Sequence, residues 1–133
     1  MTQHSLSGLW LVLAGFFGMT GVAAGAWGWH ELGGDDSIRE IFMMGVSYQL
    51  WHALALIGVA WVSSRPETAQ SKLPTIAGGS FVAGIVLFSG TLYAYAVTGI
   101  VPVGGAAPVG GFALILGWSV FIILGVKAMG KKS

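Results

Sequence analysis

The sequence contains no cysteine and few charged residues. Without cysteine there is no disulfide bond, iron–sulfur cluster, zinc ribbon or thiol catalysis. Only 8% of the residues are charged, whereas ordinary globular domains carry about 25%, so a soluble domain would lack polar groups to cover its surface. The net charge of +1, from six basic and five acidic residues, also excludes a nucleic-acid partner, because such proteins must neutralise many phosphates.

Hydrophobic residues make up 55% of the sequence and form four stretches that contain no Lys, Arg, Asp or Glu. These stretches are residues 6–29, 41–62, 76–97 and 106–126. Each one is long enough to cross about 30 Å of hydrocarbon as a helix, which pairs its own backbone polar groups where no water is present. The sequence therefore predicts an all-α, integral membrane four-helix bundle, with residues 1–133 forming a single transmembrane domain.

The basic residues predict the orientation of this bundle. With four spans, both termini and the 63–73 linker lie on one side of the membrane. That side carries five of the six basic residues, namely Arg65, Lys72, Lys127, Lys131 and Lys132. The other side has only Arg39, among the four acidic residues of the 31–40 loop. The positive-inside rule therefore predicts that both termini are cytoplasmic.

The connections carry recognisable turn signals. Asp36 or Ser37 is the expected N-cap of the second helix, because Glu40 follows Ser37 at the spacing of a capping box. Pro66 and Pro74 are expected to end and restart the helices on either side of the linker.

Small residues repeat at intervals of three or four along the first and last spans. Since membrane helices associate through close backbone contact at small residues, these stripes predict helix packing. The first stripe comprises Ala14, Gly18, Gly21, Gly25 and Gly28, and the last comprises Ala106, Gly110, Ala113 and Gly117. A weaker version in the third span comprises Gly79, Ala83, Gly90 and Ala94. The alternative is that one stripe faces outward and joins a second copy or a larger membrane complex.

The groups able to do chemistry within or beside the spans are His30, Tyr48, Gln49 and His52. Tyr48 and His52 are four residues apart on one helix face, with Gln49 bordering that face. One interpretation is structural: a neutral His52 hydrogen-bonds to neighbouring groups and ties helices together. The other is functional: His52 and His30 relay protons or bind a haem or a metal ion. Depth separates the two histidines, since His52 lies about 16 Å along the helix from Ile41.

Four segments together resemble the YgdD-like family of small bacterial inner-membrane proteins, a domain of unknown function (number 423). The segments, in family order and spacing, are residues 25–30 (GAWGWH), 48–54 (YQLWHAL), 87–93 (LFSGTLY), and 108–111 (PVGG) followed by Gly117-Trp118. Trp27, Trp29 and Ala107 depart from the residues that are frequent in the family. The resemblance implies a four-span plasma-membrane protein and implies no activity. The residues of this chain that match polar positions of the family pattern are His30, Tyr48, Gln49, His52, Ser89 and Tyr93.

We therefore expect a multi-pass membrane protein with a structural or accessory role. We expect no enzymatic activity, because no span contains an acidic residue and Ser89 has no general base near it in sequence. No cofactor is expected, and the expected partners are the lipid bilayer and either a second copy or a larger membrane complex. Two alternatives stay open: binding of haem, quinone or a metal such as copper through His52 with Tyr48, Gln49 and His30, and proton-linked transport of a small solute.

Overall fold

The computed structural model describes residues 1–131 of the chain. Lys132, one of the five basic residues counted above, lies outside the described residues. Among residues 1–131 all regular structure is helical. The elements are α1 (Gln3–Glu31), α2 (Asp36–Ser63), a 3-10 turn (Pro66–Thr68), α3 (Leu73–Gly84), a π-helical turn (Ile85–Ser89), α4 (Gly90–Thr98) and α5 (Ala106–Gly130).

Four helical segments are long and apolar enough to cross a membrane. They are α1, α2, the continuous segment Leu73–Thr98 formed by α3, the π turn and α4, and finally α5. Each segment contains one of the four predicted apolar stretches. The all-α fold with four spanning helices, predicted from the sequence, is therefore confirmed.

The four spans pack as two pairs, and α2, a member of the first pair, also contacts the second. One pair is α1 with α2, and the other is α3 and the π turn with α5. Because α2 also packs against α3, the π turn and α4, it is the most buried span. The core lies along this junction, where Leu56, Val59, Ala77 and Phe81 have no exposed surface. Across the described residues the backbones of α2 and α5 hardly approach each other, which leaves one side of the bundle grooved.

The N-cap of α2 is Asp35, so the sequence-based assignment to Asp36 or Ser37 is wrong. Asp35 has extended backbone torsions, and its carboxylate accepts a hydrogen bond of 2.9 Å from the backbone N–H of Ser37. Asp36 is already the first residue of the helix. An Asp side chain in this position satisfies one of the backbone N–H groups that the first helical turn leaves unpaired.

Proline and glycine shape the two connections of the third span. Pro66 begins the 3-10 turn and Pro74 lies in the first turn of α3, where a missing N–H costs no helical hydrogen bond. At the other end, Gly99 and Gly105 have φ angles of 74° and 82°. Only glycine adopts this left-handed region without strain, so these two residues allow the chain to turn between α4 and α5.

Several glycines of the predicted stripes lie where two helices touch. A Cβ atom added at Gly117 would lie 2.5 Å from the ring of Phe81, and one added at Gly110 would lie 2.5 Å from the backbone nitrogen of Phe88. Such approaches are closer than carbon atoms tolerate, so these positions accept only glycine at the observed helix separation. The other contacts are Gly21 with Leu50, Gly25 with Val46, and Gly28 with Phe42, and Ala14 is buried beside them.

Gly18 and Gly90 depart from the predicted stripes. A Cβ atom at either position would meet no other atom within 4 Å. Gly79, the first glycine of the third-span stripe, is open in the same way, so neither glycine of that stripe contacts another helix. The close-contact glycines that the stripes did not include are Gly45, Gly78 and Gly84, which face Tyr93, Trp10 and Leu114.

Candidate functional site

His52 lies in the middle of α2 and uses both ring nitrogens in hydrogen bonds. Its Nδ1 lies 2.6 Å from the carbonyl oxygen of Tyr48, and the indole N–H of Trp118 on α5 donates to its Nε2 at 3.0 Å. Since an indole nitrogen can only donate, Nε2 must be the acceptor and Nδ1 must carry the proton. His52 is therefore a neutral imidazole that links α2 to α5, and it is 4% exposed.

A lateral groove of about 520 Å³ runs beside His52 between α2 and α5. Aromatic rings form much of its wall, with the Tyr48 and Phe88 rings 4.6 Å apart and the His52 and Trp118 rings 5.8 Å apart. A haem iron or copper ion would need the Nε2 lone pair of His52, which the Trp118 bond already occupies. The remaining lining residues are Trp51, Gly111, Leu114 and Ile115.

Gln49 belongs to a separate hydrogen-bond network that connects three helices. Its amide nitrogen donates to the Phe17 carbonyl and to the Thr20 hydroxyl on α1, each at 2.9 Å. Its amide oxygen accepts a bond of 2.7 Å from the hydroxyl of Tyr93 on α4. Both donors and the oxygen of this buried amide are thus paired. The predicted grouping of Gln49 with Tyr48 and His52 is not what the structure shows, because Gln49 faces α1 and α4.

His30 is exposed in the last turn of α1, far from His52. Gly28, two residues before His30, packs against Phe42 of α2. His30 therefore lies at about the same depth in the bundle as Phe42. His52 follows Phe42 by ten residues, or about 15 Å at the helical rise. The two histidines therefore do not share a site. Within residues 1–131, no three His, Asp or Glu side chains are grouped as a protein metal site would require.

Ser89 closes the π turn and is almost completely buried. Its hydroxyl donates a 2.7 Å hydrogen bond to the carbonyl of Gly45 on α2. The bond joins the third span to α2 beside the contact of Gly45 with Tyr93. Ser89 therefore acts as an interhelical donor in this structure.

Sequence reasoning missed two partners in these networks. In the sequence, Trp118 is recognisable only as part of a resemblance segment, and Thr20 belongs to no motif. A signal existed for both, because a polar atom within a span needs a hydrogen-bond partner and both side chains lie in apolar stretches. The sequence does not show which polar group of a neighbouring helix lies opposite each of these side chains, because that depends on how the helices are rotated.

Residues 24–111 match the family model described as "Protein of unknown function (DUF423)". The chain belongs to this family. It is 36% identical to the UPF0382 membrane protein YwdK of Bacillus subtilis over 121 residues, which cover 90% of this chain and 97% of that protein.

Two further relatives widen the comparison. The UPF0382 inner membrane protein YgdD of Escherichia coli is 30% identical, with 91% of this chain and 92% of that protein covered. A UPF0382 membrane protein of Haemophilus influenzae is 32% identical over 71% of this chain and 77% of that protein. No solved structure matches. The resemblance drawn from the four segments is therefore confirmed, and the chain is a membrane protein of a family with unknown function.

Proposed function

We propose that this protein is a structural or accessory component of the bacterial plasma membrane and has no enzymatic activity. The observation that carries the proposal is how its polar groups are used. His52, Gln49, Ser89 and Tyr93, all predicted as candidate positions, each bond to another helix. Groups that must bind or activate a substrate need a free donor, acceptor or lone pair, whereas these groups hold the bundle together.

The proposal includes the orientation of the bundle, with both termini cytoplasmic. At the end that carries the termini, Arg65, Lys72, Lys127 and Lys131 are exposed. At the opposite end the cation Arg39 is paired with Asp36 at 3.7 Å and lies over the ring of Trp29. This asymmetry supports the cytoplasmic assignment through the positive-inside rule.

An accessory role requires a partner, and we propose assembly with a second copy or within a larger membrane complex. Two glycines on the outer face of α1, Gly8 and Gly15, are exposed with open space beside them, and they lie two helical turns apart. Gly79 on α3 is open in the same way. Small residues on a lipid-facing helix surface allow another helix to approach closely, which supports assembly.

Extraction in gentle detergent, followed by cross-linking and blue-native electrophoresis, tests this role. We expect a species larger than the monomer. Gly15→Leu and Gly79→Leu are matched variants, because both add a side chain into open space and leave the fold intact. Loss of the larger species in one variant alone would locate the contact on α1 or α3. A strictly monomeric protein without partners would refute the accessory role.

Reporter fusions test the orientation separately. A fluorescent protein that folds only in the cytoplasm is expected to fluoresce when fused after residue 133, while a phosphatase that is active only outside is expected to be silent there. The same phosphatase inserted at Gly34, in the exposed loop between α1 and α2, is expected to be active. The reverse pattern would refute the orientation.

The aromatic groove beside His52 supports a second candidate function, which is binding of a quinone ring. Tyr48, Phe88 and Trp118 offer flat apolar surfaces within a space of about 520 Å³. A ring lying against them would not need to break the bond between His52 and Trp118. Solvent extraction and an absorption spectrum of the purified protein test this candidate, and the absence of a co-purifying quinone would refute it.

A further inference from the structure

A second space, here called the terminal groove, lies between α2 and α5 at the end of the bundle that carries both termini. Its volume is about 830 Å³, and the linker between α2 and α3 covers part of it. It lies on the same side of the bundle as the groove beside His52, and its deepest α2 residue, Gly58, follows His52 by six residues. The lining residues are Gly58, Trp61, Val62, Arg65, Glu67, Thr68, Ser71, Phe121, Leu124, Gly125, Lys127, Ala128 and Lys131.

The inner walls of the terminal groove are apolar and contain small residues that leave room between the helices. Gly58 approaches only the ring of Phe121, at 3.3 Å from its Cβ position, and nothing lies within 4 Å of the Cβ position of Gly125. Ala128 lies almost one turn beyond Gly125 on α5. The small residues leave space between α2 and α5, and Val62, Phe121 and Leu124 supply the apolar surface of the walls.

The rim of the terminal groove is positively charged. Arg65, Lys127 and Lys131 supply three cations against the single carboxylate of Glu67, which leaves a net charge of +2. The pKa of the Glu67 carboxyl is lowered, chiefly by a hydrogen bond from its own backbone N–H and further by the charges of Arg65 and Lys131. Lys131 and Arg65 both line this groove.

Arg65 is held at this rim by three contacts. Its guanidinium lies 4.9 Å from the centre of the Trp61 ring and 3.3 Å from the Glu67 carboxylate. Its carbonyl oxygen accepts a 2.6 Å hydrogen bond from the side-chain amide of Gln3 on α1. A tryptophan at the end of a span belongs at the membrane interface, where its ring meets lipid headgroups. The rim therefore lies at headgroup level.

The length of the terminal groove fits one leaflet of a bilayer. From Lys131 at the rim to Phe121 at the inner end, α5 rises by ten residues, or about 15 Å. A bilayer has a hydrocarbon core of about 30 Å, so this depth equals one leaflet. An occupant that matches the groove has an anionic head at the rim and an apolar chain that extends to the middle of the membrane.

We propose that the terminal groove binds one anionic phospholipid, with its phosphate on Arg65, Lys127 and Lys131 and an acyl chain between α2 and α5. Basic groups beside apolar helix walls are the features that recognise such lipids. A free phosphate ion would use the rim and leave the apolar walls unused. A zwitterionic lipid would fill the walls but gain less from the net positive rim.

Native mass spectrometry of the full-length protein, released from micelles that contain defined lipids, tests the proposal. The probes are phosphatidylglycerol, which is anionic, and phosphatidylcholine, which is zwitterionic. We expect the first bound phosphatidylglycerol to have a lower dissociation constant and to stay bound at higher collision energy. Equal binding of the two lipids would overturn the proposal.

The charge of the rim is tested by the double variant Lys127→Gln with Lys131→Gln. Each basic group near a membrane surface contributes about fivefold in affinity for anionic lipid, so we expect phosphatidylglycerol to bind roughly 30-fold more weakly. Arg39→Gln is the control, because it removes a cation from the opposite end of the bundle. If the double variant bound phosphatidylglycerol as tightly as the Arg39→Gln protein, the proposed headgroup contacts would be wrong.

The apolar part of the groove is tested by Gly125→Leu, which fills the space between the helices. We expect weaker binding of both lipids, whereas Gly90→Leu, an equal change at an open position outside the groove, is expected to leave binding unchanged. Full displacement of phosphatidylglycerol by inorganic phosphate would instead identify an anion site. A dimer that buries the groove and excludes lipid would also overturn the proposal.

These results are independent of the accessory role proposed above. A monomer that selects phosphatidylglycerol would refute assembly and support the lipid site. An oligomer that binds the two lipids equally would support assembly and refute the lipid site.

Discussion

The contact between Gly110 on α5 and the π turn gives the sharpest test of how this bundle is held together. In Gly110→Ala the new Cβ atom would lie 2.5 Å from the backbone nitrogen of Phe88 and 2.9 Å from the Cβ atom of Leu87. A backbone atom cannot rotate away as a side chain can. The variant therefore forces α5 and the π turn apart, and overpacking of this kind costs about 1 to 3 kcal/mol.

The neighbouring glycine provides a matched control. Nothing lies within 4 Å of the Cβ position of Gly111, and both residues lie inside α5. Each substitution gains about 1 kcal/mol of helix propensity, so this contribution cancels when the two variants are compared. The difference between them isolates the packing cost, which we expect near the upper value of about 3 kcal/mol because the clash involves backbone.

Unfolding of the purified protein by increasing mole fractions of sodium dodecyl sulfate in mild micelles, followed by tryptophan fluorescence, measures this difference. We expect Gly110→Ala to unfold at a lower mole fraction than the unaltered protein, and Gly111→Ala at an equal or higher one. Equal midpoints for the two variants would refute the close contact between α5 and the π turn.

Three further predictions concern hydrogen bonds. Trp118→Phe leaves the Nε2 atom of His52 without a donor and is expected to destabilise the protein by about 1 kcal/mol in the same unfolding assay; an unchanged midpoint would contradict the bond. In a double-mutant cycle of Tyr93→Phe with Gln49→Leu, we expect a coupling of about 0.6 kcal/mol, while strict additivity would exclude a direct interaction. Asp35→Ala is expected to cost about 1 kcal/mol through loss of the N-cap, and no loss of stability would place the cap elsewhere.

The fold was predictable because it depends on local properties of the chain. A helix that crosses a bilayer needs only about 20 apolar residues, and the four uncharged stretches provide them whatever their neighbours are. The limits of the helices were less predictable, as Asp35 shows. Its side chain caps α2 from two residues earlier than the capping-box pattern at Ser37 indicated, because a cap depends on the backbone torsions of a single residue.

The candidate site was predictable in its residue types but not in its groupings. Gln49 and His52 are three residues apart, yet Gln49 bonds to α1 and α4 while His52 bonds to α5. Helical spacing gives the angle between two side chains on one helix, and it does not give the neighbour that each side chain meets. Trp118 is the clearest example, since nothing in its own segment indicates that it donates to His52.

The sequence by itself determined that this protein resides in a bilayer, that four helices span it and that its polar groups in the spans are few. These properties follow from hydropathy and from the scarcity of charge, which act on each segment separately. The tertiary structure alone decided which glycines touch a neighbour, how His52 and Gln49 are paired, and that α2 and α5 stand apart over a groove with a basic rim. The physical reason is that helix rotations, and the extra residue of the π turn, are set by packing among all four spans at once.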